Sequence, residues 1–293
     1  MSEPFPYRIS VTGSNGQLGK EFARIAAVHP RFQFSFLSKE EFPLEDNKKI
    51  ETWLIRHPID IFIHCAAYTS VDKAESEKEK AFKLNSEAPG LIATLLSKKK
   101  TRLIYISTDY VFDGTSTVPL KEDNATNPVN IYGASKLEGE HLVFQNNPFS
   151  QVIRTSWLYS SFGNNFVKTM IRLMKERKFI RVVDDQKGSP TYAGDLAGAI
   201  LQMLEKDNFI PGIYHYSNEG ETTWYEFAEE IKKLTGGTCE ILPIPASDYP
   251  TPAKRPTYSL MDKSKIKKDY GLQIPDWQIS LAFCIEILKK QGV

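Results

Sequence analysis

With 293 residues, 41% hydrophobic and 25% charged, the chain has material for a large buried core, as one domain or two modest ones. A net charge of +1 gives no basic footprint for nucleic acid, and no apolar run approaches the roughly 20 residues of a membrane span. The three cysteines, Cys65, Cys239 and Cys284, show no zinc or redox spacing, and Met1 to Tyr7 lacks a basic-then-apolar leader pattern, so a cytoplasmic protein is expected.

The first half alternates β-rich runs with amphipathic stretches, the pattern of βαβ units and a parallel sheet. Arg8 to Thr12 reads as a strand and Gly16 to Ala27 as the helix after it. Phe32 to Leu37 is a second strand, followed by a helical pattern around Ile50, Trp53 and Leu54. Ile59 to Cys65 is almost wholly apolar, as a strand covered on both faces should be. Ala81, Leu84, Ala88, Leu91 and Leu95 form one stripe of a helix within Lys80 to Lys99. Leu103 to Ser107 is a fourth strand, Tyr132 to Phe144 a helix and Gln151 to Arg154 another strand. Beyond it, Asn165 to Lys175 and Asp195 to Leu204 are helical and Gly212 to His215 is a short strand. Thr223 and Glu226 form a capping box that opens a helix. Glu240 to Leu242 reads as a strand, whereas Pro243 to Pro256 holds five prolines and is expected to be irregular. A last helix runs from Trp277 to Lys290. The expected architecture is α/β: a Rossmann-type, doubly wound parallel sheet over 1–160, with part of 190–215 returning to it. A smaller C-terminal α/β lobe, 161–293, is expected to bind mainly substrate.

Between the first strand and its helix lie Gly13, Gly16 and Gly19, spaced GxxGxxG. Gly13 suits a tight turn, Gly16 lets backbone approach a pyrophosphate, and Gly19 permits close helix–sheet packing at a helix N-terminus that favours anions. At the end of the second strand, where an acid would hold an NAD ribose, stand Ser38 and Lys39. They lean toward the 2′-phosphate of NADPH; the other reading leaves Lys39 solvated and gives the ribose to Glu40 or Glu41, as NADH would require.

Ser107-Thr108-Asp109 ends the fourth strand, and Tyr132-Gly133-Ala134-Ser135-Lys136 follows 24 positions after Thr108. Tyr132 and Lys136, four apart, share a helix face. An ammonium beside a phenol lowers its pKa, as a proton donor to a carbonyl oxygen needs while hydride reaches the carbon. Lys136 also comes within reach of a nicotinamide ribose, and Thr108, at a carboxyl strand end, within reach of the substrate carbonyl. Trp157 lies near the same sheet edge, as a sugar-packing ring or a core residue. Lys254 and Arg255 read as a diphosphate clamp or as a solvated charge pair.

These blocks, with Ala66 to Glu75, Arg154 to Tyr159, Gly163 to Phe166, Asp185 to Thr191 and Arg255-Pro256, follow one another along nearly the whole length. In that order the chain resembles the extended short-chain dehydrogenase/reductase superfamily and, within it, the dTDP-4-dehydrorhamnose reductases. The resemblance implies Tyr132 as proton donor, assisted by Lys136 and tuned by Thr108. It implies Gly16, Gln17 and Leu18 on the cofactor pyrophosphate, with Ala66, Ala67, Tyr68 and Thr69 beside the cofactor. Thr108, Asp109, Trp157, Asn165 and Arg255 would meet the nucleotide sugar. The implied reaction is reduction of dTDP-4-dehydro-β-L-rhamnose to dTDP-β-L-rhamnose, for cell-surface polysaccharide, with a homodimer allowed.

His64 stands where many members carry Asn, and reads as a hydrogen-bonded core histidine rather than a catalytic one. Some members hold magnesium at a dimer interface through two acids; Glu21 matches one, but Gly194 falls at the other, so no metal is expected. Two further readings stay open. His64-Cys65-Ala66-Ala67 locally resembles the non-catalytic, NADP-binding regulatory subunit of methionine adenosyltransferase. A sugar-nucleotide epimerase or dehydratase shares the superfamily, but dehydratases carry an acid after Thr-Asp, where this chain has Tyr110.

Overall fold

β-Branched and aromatic runs form the strands, and stripes of Leu, Ile and Ala form the helices that cover them. The computed structural model describes residues 7–206 and 208–292, so the leader argument resting on Met1 to Pro6 lies outside the described residues. The chain runs through β1 (Tyr7–Thr12), α1 (Gln17–Ile25), β2 (Phe32–Leu37), α2 (Asn47–Arg56) and β3 (Ile61–His64). Two short helices, α3 (Val71–Ala74) and α4 (Lys78–Phe82), pass through a π-helical turn, Lys83–Glu87, into α5 (Ala88–Lys98). β4 (Arg102–Thr108), α6 (Ile131–Asn146) and β5 (Gln151–Thr155) follow. Next come β6 (Leu158–Tyr159), α7 (Phe166–Glu176), β7 (Phe179–Val183), β8 (Lys187–Gly188) and β9 (Thr191–Tyr192). The chain ends with α8 (Ala193–Glu205), β10 (Gly212–His215), β11 (Thr222–Thr223), α9 (Trp224–Thr235), β12 (Glu240–Ile244), α10 (Ser264–Tyr270) and α11 (Trp277–Lys290).

Six parallel strands form the main sheet in the order β10-β5-β4-β3-β1-β2. The order reverses between β1 and β3, so a crevice opens at their carboxyl ends. On one face Phe22, Leu196, Ile200 and Tyr270 pack with Ile9, Ile63 and Ile104; on the other, Ile50, Ile92 and Val143 cover Phe62 and Val152. Ile9, Ile61, Ile63 and Ile104 are wholly buried, the burial that the apolar reading of Ile59 to Cys65 requires. A second core, with Val167, Phe227, Ile241, Leu281 and Ile285, joins α7, α9 and α11 to the parallel pair β7 and β12. The fold is thus a doubly wound α/β sheet with an additional α/β lobe, and β10 and α8 return to the main sheet.

Two elements differ from the sequence reading. Pro243 belongs to β12, opposite Val182, although its prolines argue against regular structure. β12 has β7 on one side only, and an edge strand tolerates a residue without an N–H. The helix expected over Lys80 to Lys99 carries the π-turn because Pro89 has no N–H for Asn85 O, four residues back. The Tyr105 hydroxyl donates to that freed carbonyl at 2.8 Å.

α6 starts where Asn130 caps it: Asn130 Oδ1 accepts from Gly133 N at 2.8 Å, and Nδ2 donates to Lys254 O at 2.7 Å. Asn130→Ala removes the cap and the tie to the proline-rich loop. It is expected to lower the unfolding free energy by about 1–2 kcal/mol, read from urea denaturation.

Candidate active site

The crevice widens into a cavity of about 830 Å³ that follows the carboxyl ends of the strands. Its floor at one end is the glycine loop. Gly13 has φ +70°, and a Cβ on Gly19 would lie 2.3 Å from Gly13 O, so the loop folds onto α1 only with glycine there. No side chain caps α1, which leaves its first-turn N–H groups directed at the cavity with the positive end of the helix dipole. Such a cradle fits a dinucleotide pyrophosphate.

Gly13, Gly16, Gln17, Leu18, Gly19, Ser38, Lys39, Ala66, Ala67, Tyr68, Thr69, Thr108, Asp109, Tyr132, Lys136, Trp157 and Asn165 all line this one cavity. Ser38 and Lys39 lie at its far end, where Lys39 approaches Glu45 at 3.6 Å. Neither Glu40 nor Glu41 is part of the wall, and the Glu41 carboxylate is occupied by Ser38 N at 2.9 Å. Asn165 caps α7 and also donates to Gln17 Oε1 at 2.9 Å, tying the second lobe to the glycine loop.

Arg255 is the expected sugar-binding residue that the cavity does not include. Its guanidinium grips Asp72, Nη2 to Oδ2 at 2.9 Å and Nη1 to Oδ1 at 3.1 Å, and this bidentate pair replaces the expected diphosphate clamp. Asp72 lies in the short helix α3 directly under the proline-rich loop, so the nearest acid takes the fork. Lys254 contributes its carbonyl, to Asn130.

Tyr132 and Lys136 do share one face of α6, but the ammonium donates its hydrogen bond to a strand carbonyl. Lys136, 2% exposed, donates to Ile106 O at 2.7 Å and stands 3.9 Å from the centre of the Tyr105 ring. Burial pushes the Tyr132 phenol up to about 12, and the Thr108 hydroxyl, not Lys136, is what pulls it back. Burial likewise draws the Lys136 ammonium down to about 7, opposed chiefly by Glu140. The phenol is therefore fully protonated at neutral pH, the form an acid must start from. Asp109, buried beside them and pushed up to about 6 by burial, keeps Oδ2 without a hydrogen-bond partner among the described residues. An acceptor left open in a cavity suits a ligand hydroxyl.

Trp157 holds φ +47°, a left-handed backbone that a tryptophan adopts only under constraint. Its ring stacks on Trp224 at 3.6 Å between centres, and Trp157 lines the cavity. His64 is a core residue, as its sequence position suggested: it is 1% exposed, with Nδ1 2.9 Å from Thr12 Oγ1. Glu21 is buried and already engaged by Arg24 and Ser160. Among the described residues no group of three or more acidic, histidine or cysteine side chains converges to hold a metal.

Asn85 escaped the sequence reading. From the π-turn its Oδ1 accepts Tyr68 N at 2.8 Å, while Nδ2 donates to Tyr68 O and Ser135 Oγ, both at 3.0 Å. It thereby fixes the Ala67-Tyr68 wall against α6. The available signal was an asparagine in a helical stripe four residues before a proline.

A dinucleotide cradle and a Tyr–Lys helix over one doubly wound sheet define an oxidoreductase of the extended short-chain dehydrogenase/reductase class. The model of one family, described as the RmlD substrate binding domain, matches residues 7–290, and the chain belongs to that family. A dTDP-4-dehydrorhamnose reductase from Aggregatibacter actinomycetemcomitans is 37% identical over 94% of this chain and 97% of the relative. The spore coat polysaccharide biosynthesis protein SpsK of Bacillus subtilis is 37% identical over 94% of this chain and 95% of its own. The solved dTDP-4-dehydrorhamnose reductase of Bacillus anthracis in complex with NADP superposes with a TM-score of 0.93 at 37% identity, covering 97% of this chain and 100% of that one.

His64, drawn down to about 3 by burial, stays neutral in the native state while the unfolded chain takes up a proton near 6.5. The depressed value means stability is kept at neutral pH and lost as pH falls below about 6.5, by up to about 1.4 kcal/mol per pH unit for this group. His64→Phe should flatten that acid dependence relative to wild type in urea denaturation at a series of pH values.

Proposed function

We propose that this chain reduces the 4-keto group of dTDP-4-dehydro-β-L-rhamnose to dTDP-β-L-rhamnose with NADPH or NADH, a step in nucleotide-sugar biosynthesis. The observation that carries the reading is the confluence of Thr108, Tyr132 and Lys136 in the same cavity as the glycine loop. The strong likeness to reductases of that name, across nearly all of both chains, supports it.

In this reading Gly13, Gly16, Gln17, Leu18 and Gly19 hold the pyrophosphate, and Ala66, Ala67, Tyr68 and Thr69 form the wall beside the cofactor. The bound cofactor supplies a hydride to the ketone carbon. Tyr132 delivers the proton to the ketone oxygen, Thr108 hydrogen-bonds that oxygen and Lys136 supplies positive charge that offsets the negative charge the departing proton leaves on the phenolate. Asp109 accepts from a sugar hydroxyl, and Trp157 offers a flat apolar face to the sugar or base. Arg255, paired with Asp72, lies outside the cavity wall and is not needed for this step.

Reduction is favoured over dehydration by the residue after Asp109. Tyr110, pushed up by burial, is a neutral phenol packed edge-on against Tyr132, with ring centres 5.6 Å apart. No carboxylate stands there to eliminate water. Reduction needs only hydride and one proton.

The deciding assay follows loss of NADPH and NADH absorbance with dTDP-4-dehydrorhamnose generated enzymatically in place. Stoichiometric oxidation supports the reading; binding without oxidation of any 4-keto sugar nucleotide supports a silent binding subunit instead. Cofactor that remains bound and is regenerated each cycle points to epimerisation or dehydration. Tyr132→Phe should stay folded and lose about 10²–10⁴-fold in turnover. Lys39→Ala should weaken NADPH by about tenfold in KM while leaving NADH nearly unchanged, the difference expected for one charged contact to the 2′-phosphate.

A further inference from the structure

Behind the cavity wall lies a charge cluster that the proposed chemistry has not yet used. One turn beyond Lys136 on α6, Glu140 is 1% exposed and does not reach the cavity. Its carboxylate receives the Ser107 hydroxyl at 2.5 Å and the Arg154 guanidinium, Nη2 to Oε2 at 2.7 Å and Nε to Oε1 at 3.0 Å. Arg154, 2% exposed on β5, lies beside Ser107 of β4 in the sheet register, and its guanidinium sits 5.1 Å from the centre of the Phe112 ring. Ile106 O, the acceptor for Lys136, is the neighbouring residue on β4. Strand and helix are thus joined by two adjacent polar contacts, one for the ammonium and one for the carboxylate.

We propose that Glu140 is a positioning residue of the reductase site, the fixed counter-charge that keeps Lys136 an ammonium on the Ile106 carbonyl, with Arg154 and Ser107 locking its carboxylate in place. This rests on the function proposed above. The groups around Lys136 are His64, which ends β3, Cys65 just after it, Tyr105 on β4, and Tyr132 and Glu140 on α6, with Arg154 on β5 behind Glu140. His64 is neutral, and burial raises the Cys65, Tyr105 and Tyr132 groups, so none of these four carries charge at neutral pH. Glu140 is the anion of the set. It also accounts for the arginine: a buried carboxylate needs its acceptor sites filled, and the bidentate guanidinium together with the Ser107 hydroxyl fills them.

The sign of the effect follows. Lys136 must be protonated to donate to Ile106 O and to offset a phenolate, so activity falls as pH rises through its pKa. Without the Glu140 charge that pKa drops, and the alkaline limb of the rate profile moves to lower pH. A nearby opposite charge shifts a buried group by about 1–3 pH units.

Two measurements on Glu140→Gln test this. The pH profile of kcat/KM, with NADPH and the 4-keto sugar nucleotide, should show its alkaline limb lowered by about 1–3 pH units. Nuclear magnetic resonance of protein labelled at the lysine ε-carbons, with the Lys136 signal identified by its loss in Lys136→Arg, should show the same fall in midpoint without any turnover. An unmoved midpoint in folded Glu140→Gln, or a uniform loss of rate at every pH, overturns the proposal and leaves Glu140 a packing residue. If the lone Arg154 charge unfolds that variant, the double variant Glu140→Gln/Arg154→Met removes the charge pair together. Its Lys136 midpoint should still lie below that of wild type, and an unchanged one overturns the proposal. Wild-type protein that oxidises no cofactor would count against the reductase reading alone, because the resonance titration decides the role of Glu140 by itself.

Discussion

A cation without water must be supported on every side by the protein, and the architecture of this site follows from burying one. Lys136 has three such supports: the Ile106 carbonyl, the face of the Tyr105 ring and, further back, the Glu140 carboxylate. Each belongs to β4 or α6, so the packing of those two elements sets the surroundings of the lysine. Tyr105 in turn donates its hydroxyl to Asn85 O, which exists as a free acceptor only because Pro89 breaks the helical ladder. The electrostatics of the site are therefore anchored to an irregularity one element away. Disturbing any link reaches the ammonium through the others.

The same economy joins the two lobes. Asn165 ends one hydrogen bond on its own helix and another on Gln17 of α1, so one side chain joins the start of α7 to the segment after the glycine loop. At the opposite side Arg255 and Asp72 pin the proline-rich loop to α3, next to the Tyr68-Thr69 wall. Ala253 N adds to this by donating to Asp72 Oδ1 at 3.3 Å. The second lobe thus touches the cavity through fixed contacts, and Trp157, stacked on Trp224, is part of its wall.

Much of this was readable in the chain itself. β2 and β10 match the sequence reading to the residue and α11 closely, because each is a continuous apolar or periodic run. The Thr223–Glu226 capping box forms as its spacing dictates. The glycine loop and the Tyr132–Lys136 pair were legible because local spacing alone places them on a turn and on one helix face. What escaped depends on partners distant in sequence. The two-residue strands β6, β8, β9 and β11 have no periodicity to detect and exist only through their pairings. Arg255 reads as a phosphate ligand until Asp72, 183 positions earlier, is found beneath it. Lys136 reads as a modulator of Tyr132 because they are four apart, but its own ligand is a strand carbonyl that no helix spacing reveals. Pro243 reads as a breaker because sequence does not disclose which strands are edges.

The π-turn at Lys83–Glu87 has a geometric corollary. Each residue advances a helix by about 100° around its axis, so the extra one accommodated there sets the faces of α4 and α5 out of phase. Ala81, before the turn, and Leu96, after it, are both wholly buried. Excising a single residue from the turn would restore an even spiral and take Asn85 off the Tyr68 backbone. The length of this segment is therefore as constrained as its composition, an insertion or deletion there being costlier than most substitutions.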